Sequence, residues 1–452
     1  METDINVMVA GAGISGICAT NLLLDSGMKV LLYDQNENLN IDDISTKLSE
    51  PSYVVFKLGQ LDRQDIKGIG HCIISPGISL ETEFVQMLLA SGVQIYSEIE
   101  LGYKASKGKL FAITGTNGKT TTTSLLGEIV RSVNQETFVV GNIGLPYTSM
   151  ALHTTENSAT VLEVSSFQLE TIVDFRPHVC SILNITQDHL NRHHTMANYT
   201  KIKESITKNQ TQDDYCILNY DCEVLRAFAS DRNLKSKVVF FSSTQMLEDG
   251  YFLDGDYICR VVSGIVKTLL NVNELELLGR HNYENVMAAI AMAECAGIPM
   301  ERILEVCRHF KAVEHRIEFV RERLGVRYYN DSKGTNPDAA LQAVRAMRGP
   351  ILLIGGGYDK QGSFDEWVES FHGRVKQLVL IGQTRERIAE CAKKHGFTNI
   401  IYAEDMEEAV KVCASYAQSG DVCLLSPACA SWDMFTNYEQ RGRVFKECVM
   451  NL

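Results

Sequence analysis

Residues 110–126, LFAITGTNGKTTTTSLL, decide how this chain folds. The apolar run LFAI enters a loop bracketed by Gly115 and Gly118, and Lys119 then opens a row of four threonines, Thr120–Thr123. A strand that turns through glycines into a helix is built to hold phosphate, because backbone N–H groups and the helix N-terminus both face the anion. The loop is shorter than the common G-x-x-x-x-G-K form: the position five residues before Gly118 is Ile113, not glycine. Lys119 is placed to reach β- and γ-phosphate oxygens and Thr120 to offer its hydroxyl to Mg²⁺. A glycine turn carrying a surface lysine is the plain alternative. Strand, loop, Lys-Thr pair and helix pattern together argue against it.

A second glycine motif, GAGISG at 11–16, lies between two apolar runs, INVMVA at 5–10 and KVLLYD at 29–34, and Asp34 ends the second of them. This predicts a βαβ unit that presents backbone N–H groups to a diphosphate. On these residues alone NAD or FAD, another diphosphate such as a UDP-sugar, and a tight turn without a ligand all remain open. Further strands are predicted at 72–75, 93–96, 110–114 and, later, within TFVV, ATVLEV, HVCSIL and YCILN. A polar, glycine-punctuated break is expected near 98–109. Short β pieces with an Asp254–Gly255 turn follow around 237–277, then a helix that stops at Gly297. A third α/β stretch holds IEFVRE, VRYYND, ILLIGG, QLVLIG and DVCLLS. The expected fold class is α/β with three domains, at 1–98, 99–312 and 313–452.

Composition narrows the function. Forty-three basic against 56 acidic residues give a net charge of −13, which disfavours a broad nucleic-acid surface. No apolar run approaches the ~18 residues of a membrane span, and no signal peptide is recognised. The 13 cysteines contain no C-x-x-C pair, so free thiols in a reducing cytoplasm are expected instead of disulfides or structural zinc.

Other candidates stand mostly at the ends of apolar runs, the arrangement of an open α/β active site. Glu163 ends the strand in VLEVSSFQLE, where a carboxylate beside a phosphate loop is a normal Mg²⁺ ligand. NITQDHLNRHH gathers Asp188, His189, His193 and His194, suggestive of a metal cluster although no H-E-x-x-H is present. Lys203, within YTKIKESITK, has the pattern of a surface lysine. Asn282 and Asn285 begin a helix, where simple capping is the plain reading. Arg316, Asp331, Lys333, Thr335, Lys360 and Ser431 follow in the third region.

The ordered set TGTNGKTT, GNIG, EVSSFQLE, DH, GRHNYEN, HR and NDSKGTN resembles the ATP-dependent Mur ligase family, which builds the peptide stem of bacterial peptidoglycan, over nearly the whole chain. SSFQLE with SPACASWDMF-x-N-x-x-x-RG resembles the D-glutamate-adding branch, and the Asp-Asn-Pro-Arg of the diaminopimelate- or lysine-adding branch is not seen. The resemblance implies an N-terminal Rossmann-like UDP-binding domain, a central P-loop-type ATPase domain and a C-terminal Rossmann-like domain for the amino acid. It implies that ATP, D-glutamate and UDP-N-acetylmuramoyl-L-alanine meet on a cytoplasmic monomer, with no nucleic-acid or membrane partner, and react through an acyl phosphate. Gly13, Ile14, Ser15, Asp34, Gly77, Asn142 and His189 would face the UDP-substrate. Gly115, Thr116, Asn117, Gly118, Lys119, Thr120, Thr121, Asn282, Asn285, Arg316 and Asp331 would hold ATP. Lys333, Thr335, Lys360 and Ser431 would hold D-glutamate. Two Mg²⁺ ions would sit on Thr120, Glu163, His189 and Lys203, the last carrying a carbamate that turns a cation into a carboxylate-like ligand; Lys119, His189 and Lys203 would be the catalytic set. A dinucleotide oxidoreductase leaves GTNGKTT unexplained, and a nucleotide switch has no need of GAGISG. A folate-polyglutamylating ligase of the same superfamily is the nearer alternative.

Overall fold

The computed structural model describes residues 5–311, 313–359 and 362–452. It has two compact units, one running through Asn271 and adding Glu284–Cys307, the other made of Val272–Tyr283 and Arg308–Leu452. The first unit carries two sheets and the second carries one, so the α/β class and the three sheets expected from the sequence are present.

The N-terminal sheet is five-stranded and wholly parallel, in the order Val54–Leu58, Val30–Asp34, Val7–Ala10, His71–Ile74, Gln94–Ser97. Val7, Met8, Val9 and Ala10 are all buried because helices cover both faces, which is why the strand shows no polar alternation. The strand order reverses between Val7–Ala10 and His71–Ile74. Their carboxyl ends therefore open a crevice, with Gly11–Gly13 on one side and Ser75–Gly77 on the other. Gly16 must be glycine: a Cβ there would run into the carbonyl of Gly11, so helix and strand could not pack this closely.

The central sheet has nine strands. Lys109–Thr114 lies inside it, with Ala159–Glu163 on one side and Val179–Ile182 on the other, all parallel. At the far end Gly250–Asp254 and Tyr257–Val262 form the hairpin predicted from Asp254–Gly255, with Gly255 at φ 55°. The predicted helix is Arg280–Cys295, followed by Gly297 in the left-handed region.

The expected break at 98–109 is instead largely a helix, Glu98–Ala105. Its polarity misled because two of its acids face inward. Glu100 is fully buried and accepts the backbone N–H groups of Val173, Asp174 and Phe175, at 2.9–3.0 Å, while Glu98 accepts Gln168 Nε2 at 2.6 Å. Burial pushes the Glu98 carboxyl above its usual range. The edge strands Val54–Leu58 and Ile400–Tyr402 were not predicted; both are short and only partly buried.

In the second unit six strands run in the order Glu318–Arg323, Val326–Asn330, Val422–Leu425, Ile351–Gly355, Val375–Leu380, Ile400–Tyr402. The first pair is antiparallel and the rest parallel. The loops after Asn330, Gly355 and Leu425 therefore meet at one edge of the sheet.

Candidate active site

The phosphate loop follows Lys109–Thr114 and opens the helix Lys119–Arg131. Gly118 sits at φ 87°, and a Cβ there would collide with Asn285 Oδ1, so only glycine serves. The loop is braced from the neighbouring strand's end. Thr116 N–H donates to Asn184 O at 3.0 Å, Asn117 N–H donates to Asn184 Oδ1 at 2.8 Å, and Thr116 Oγ1 donates to Thr186 O at 3.1 Å. These donors shape the loop. Lys119 folds back over it, its ammonium donating to Gly115 O at 2.9 Å and Thr116 O at 2.8 Å.

Glu163 pairs in register with Ile113, one residue before the strand gives way to the loop. Its carboxylate is 2% exposed. Oε1 accepts Asn142 Nδ2 at 2.8 Å, whereas Oε2 is buried with no protein hydrogen-bond partner among the described residues. A buried carboxyl oxygen in that state is open to a cation, so the residues present fit Mg²⁺. Asn142, expected to face the UDP-substrate, here holds Glu163.

Lys203 corrects the surface reading. Its side chain, on the helix Met196–Glu204, is 1% exposed and lies over the Tyr199 ring at 4.8 Å. Nζ donates to Gly115 O at 2.8 Å. Burial pushes its pKa well below the usual lysine range, and the Lys119 ammonium pushes in the same direction against the pull of Asp188 and Glu163. Lowering an amine's affinity for a proton makes its nucleophilic form more available.

The expected histidine cluster does not form. His193 is buried on Ser166 Oγ at 2.9 Å, and burial lowers its pKa to about 4. His194 reaches Glu81 at 2.7 Å, and His189 packs edge-on against Phe167 at 4.9 Å between ring centres. His189 and His194 both take positive φ, and the donor atoms of these residues do not converge as a metal-ligand group among the described residues. Arg192, which the sequence gave no reason to select, donates to Ile78 O at 2.8 Å and pairs with Glu170 at 2.6 Å, tying the N-terminal crevice to the central sheet.

In that crevice Gly13 caps the twelve-residue helix Ile14–Asp25, and a Cβ on Gly13 or Gly77 would meet open space. Ile14 is exposed at the helix start. Asp34 accepts the N–H groups of Ala12 at 2.8 Å and Asn36 at 2.9 Å, one on each oxygen, so its carboxylate shapes the glycine loop.

In the second unit Asp331 is buried, accepting Ser426 Oγ at 2.7 Å, and burial raises its pKa to about 7. Lys333 lies over the Tyr438 ring at 5.4 Å, Ser431 is buried, and Thr335 N–H donates to Lys333 O at 2.9 Å. Arg316 Nε is buried without a hydrogen-bond acceptor among the described residues. Asn282 Nδ2 donates to Leu278 O at 2.8 Å. Lys360 lies outside the described residues.

Arg441 organises this edge and was missed, although the RG pair of the quoted motif contains it. Fully buried, it donates to Ser332 Oγ (3.0 Å), Ser332 O (2.8 Å), Cys429 O (3.1 Å) and Ala430 O (3.1 Å), clamping two of the three loops. Arg441→Ala strands these acceptors and should destabilise the second unit by about 3 kcal/mol or more. Arg441→Lys should recover little, since one ammonium cannot reproduce the planar fork. Urea denaturation followed by Trp fluorescence checks this, because both tryptophans, Trp367 and Trp432, lie in that unit.

A parallel-sheet phosphate loop, a buried carboxylate oxygen without a partner and a Rossmann-like crevice in one unit are the parts of a nucleotide-dependent enzyme. Three family models match the chain: the Mur ligase MurD-like N-terminal domain at 5–97, the Mur ligase middle domain at 113–293 and the Mur ligase glutamate ligase domain at 315–429. The chain belongs to the Mur ligase family, ATP-dependent enzymes that form amide bonds. Among its relatives is a UDP-N-acetylmuramoylalanine–D-glutamate ligase of Lachnospira eligens, 52% identical over 99% of this chain and 98% of that one. Another of the same name, from Lachnoclostridium phytofermentans, is 49% identical over 98% and 97%. Among solved structures, UDP-N-acetylmuramate-alanine ligase from Thermotoga maritima aligns with a TM-score of 0.61 at 18% identity, covering 99% of each chain, which shows the shared fold. Among the described residues no helix is long and apolar enough to cross a membrane.

Proposed function

We infer that this chain joins D-glutamate to UDP-N-acetylmuramoyl-L-alanine with ATP. The observation that carries the reading is the meeting of the phosphate loop, the partnerless Glu163 oxygen and buried Lys203 at the carboxyl end of the central sheet. Full-length similarity to proteins named for D-glutamate addition supports the choice of substrates. The proposed domains are 1–98 for the UDP-substrate, 99–312 for ATP and 313–452 for the amino acid.

A carboxylate does not accept an amine directly. Attack of the substrate carboxylate oxygen on the γ-phosphorus breaks the bond to ADP and gives an acyl phosphate. The D-glutamate amine then forms the C–N bond, loses its proton to solvent, and the tetrahedral intermediate expels phosphate. Loop N–H groups and Lys119 stabilise charge on the phosphoryl oxygens. Thr120 and Glu163 would hold one Mg²⁺, and His189 and Lys203 a second, which would neutralise more of that charge. Lys203 serves there as a carbamate: its neutral amine adds to CO₂, forming an N–C bond and releasing one proton. Gly13, Ile14, Ser15 and Gly77 face the UDP group, with Asp34 holding their loop. Asn282, Asn285, Arg316 and Asp331 serve ATP, and Lys333, Thr335, Lys360 and Ser431 the acceptor.

Acceptor choice is tested by ADP release with UDP-N-acetylmuramoyl-L-alanine and a panel of amino acids. D-Glutamate should turn over at least about 100-fold faster than L-lysine or diaminopimelate: L-lysine lacks the second carboxylate, and diaminopimelate carries its second carboxylate on a longer chain beside an additional ammonium. L-Glutamate should also fail, since inversion at Cα misdirects the amine. Faster turnover with L-lysine or diaminopimelate would move the chain to another branch of the family and leave the ligase chemistry standing.

A further inference from the structure

The helices Asp365–Glu369 and Arg385–Lys394 pack side by side in the second unit and bring four chemically matched side chains together. Asp365, Cys391 and His395 each direct one donor atom to a common point, the three atoms lying within 4.8 Å of one another. His395 Nε2 is 2.7 Å and Cys391 Sγ 3.8 Å from Asp365 Oδ1. Cys391 and His395 are four residues apart, one helical turn, so they share a face. Ser363 Oγ holds the other Asp365 oxygen at 2.5 Å.

We propose that Asp365, Cys391 and His395 form a binding site for a borderline-soft divalent cation such as Zn²⁺, with Glu369 orienting the imidazole from behind. Thiolate, imidazole and carboxylate are the zinc ligand set, and the donor separations require only a small adjustment to sit around a four-coordinate ion whose remaining position is water. Behind the ring, Glu369 Oε1 lies 3.6 Å from His395 Nδ1. With an ion seated between Asp365 and Nε2, a carboxylate behind Nδ1 is the arrangement that fixes the tautomer of a ligating histidine. Lys394 Nζ is 3.4 Å from Asp365 Oδ1, but its side chain is 75% exposed and swings into water when a cation arrives. The S–H bond must break as the S–metal bond forms, so each ion bound releases one thiol proton to buffer and affinity rises with pH. The ligands lie on two helices, so the ion cross-links them; none belongs to the proposed ligase machinery.

The test is Co²⁺ titration of reduced, chelator-stripped full-length protein in excess Mg²⁺, which keeps the oxygen-rich sites occupied. One equivalent should give a near-ultraviolet thiolate-to-cobalt charge-transfer band that Zn²⁺ displaces. Cys391→Ser should lose the band while keeping wild-type D-glutamate-dependent ADP release. His395→Gln should bind far more weakly, and it decides the matter if the serine variant fails to fold. Glu369→Gln should keep the band and weaken binding about 10–100-fold. No band in the wild type, a band of full size in Cys391→Ser, or unchanged affinity in both His395→Gln and Glu369→Gln overturns the site.

Discussion

Replacing Lys119 with alanine should lower turnover by about 10³-fold or more while leaving affinity for the UDP-substrate nearly unchanged. The ammonium bridges Gly115 O and Thr116 O, so it stands over the loop that faces the phosphates. A charge so placed acts as negative charge shifts onto the transferring phosphoryl oxygens, and its loss falls on kcat. The UDP crevice is built on a different sheet, from Gly11–Gly13 and Ser75–Gly77, and should not respond. Lys119 is also the second cause of the depressed Lys203 pKa, after burial. Removing Lys119 takes away one of the two influences that lower the Lys203 pKa and leaves burial, the larger one, in place, so the ¹³C-carbamate signal of the variant separates lost phosphoryl transfer from a lost modification. Steady-state kinetics beside binding of the UDP-substrate separates the two effects. Turnover near the wild-type value would remove Lys119 from the chemistry.

The second large effect is at Lys203. Supplying ¹³C-bicarbonate should produce a carbamate carbon signal that is absent from Lys203→Arg, with turnover reduced about 100-fold or more in the variant. The amine is enclosed with Gly115 O, Thr114 Oγ1 and the Tyr199 ring, beside the same loop as Lys119. As an ammonium it would place a second positive charge where Mg²⁺ must bind; as a carbamate it supplies an anionic oxygen instead. Arginine keeps the cation and cannot add CO₂. A wild-type protein with no such signal, and with full activity after rigorous removal of CO₂, would leave Lys203 as a structural buried amine.

The motifs were legible where chemistry and backbone geometry coincide in a few consecutive residues. GTNGKTT sits between a strand and a helix, and GAGISG between a strand and a helix, because glycine spacing encodes local dihedral angles and close approach. Glu163 was legible for a related reason: a carboxylate ending an apolar strand stays at the sheet's functional edge. Lys203 was not legible from its own surroundings, since a lysine in a polar helix has the same pattern whether it faces water or a buried loop 88 residues away. Glu98 and Glu100 misled in the same way, turning a helix into an apparent linker.

The sequence by itself determined the α/β class, the two glycine loops, the acidic balance and the ligase family, all carried by short-range patterns. Only the tertiary structure decided that Asn142 grips Glu163, that Asp34 braces a loop, that the histidines of NITQDHLNRHH diverge, and that Arg441 clamps Ser332 to Cys429 and Ala430. The physical reason is common to all four. A polar side chain takes its function from the groups that satisfy it, and those partners arrive from strands and loops tens of residues away, through burial that no local pattern records.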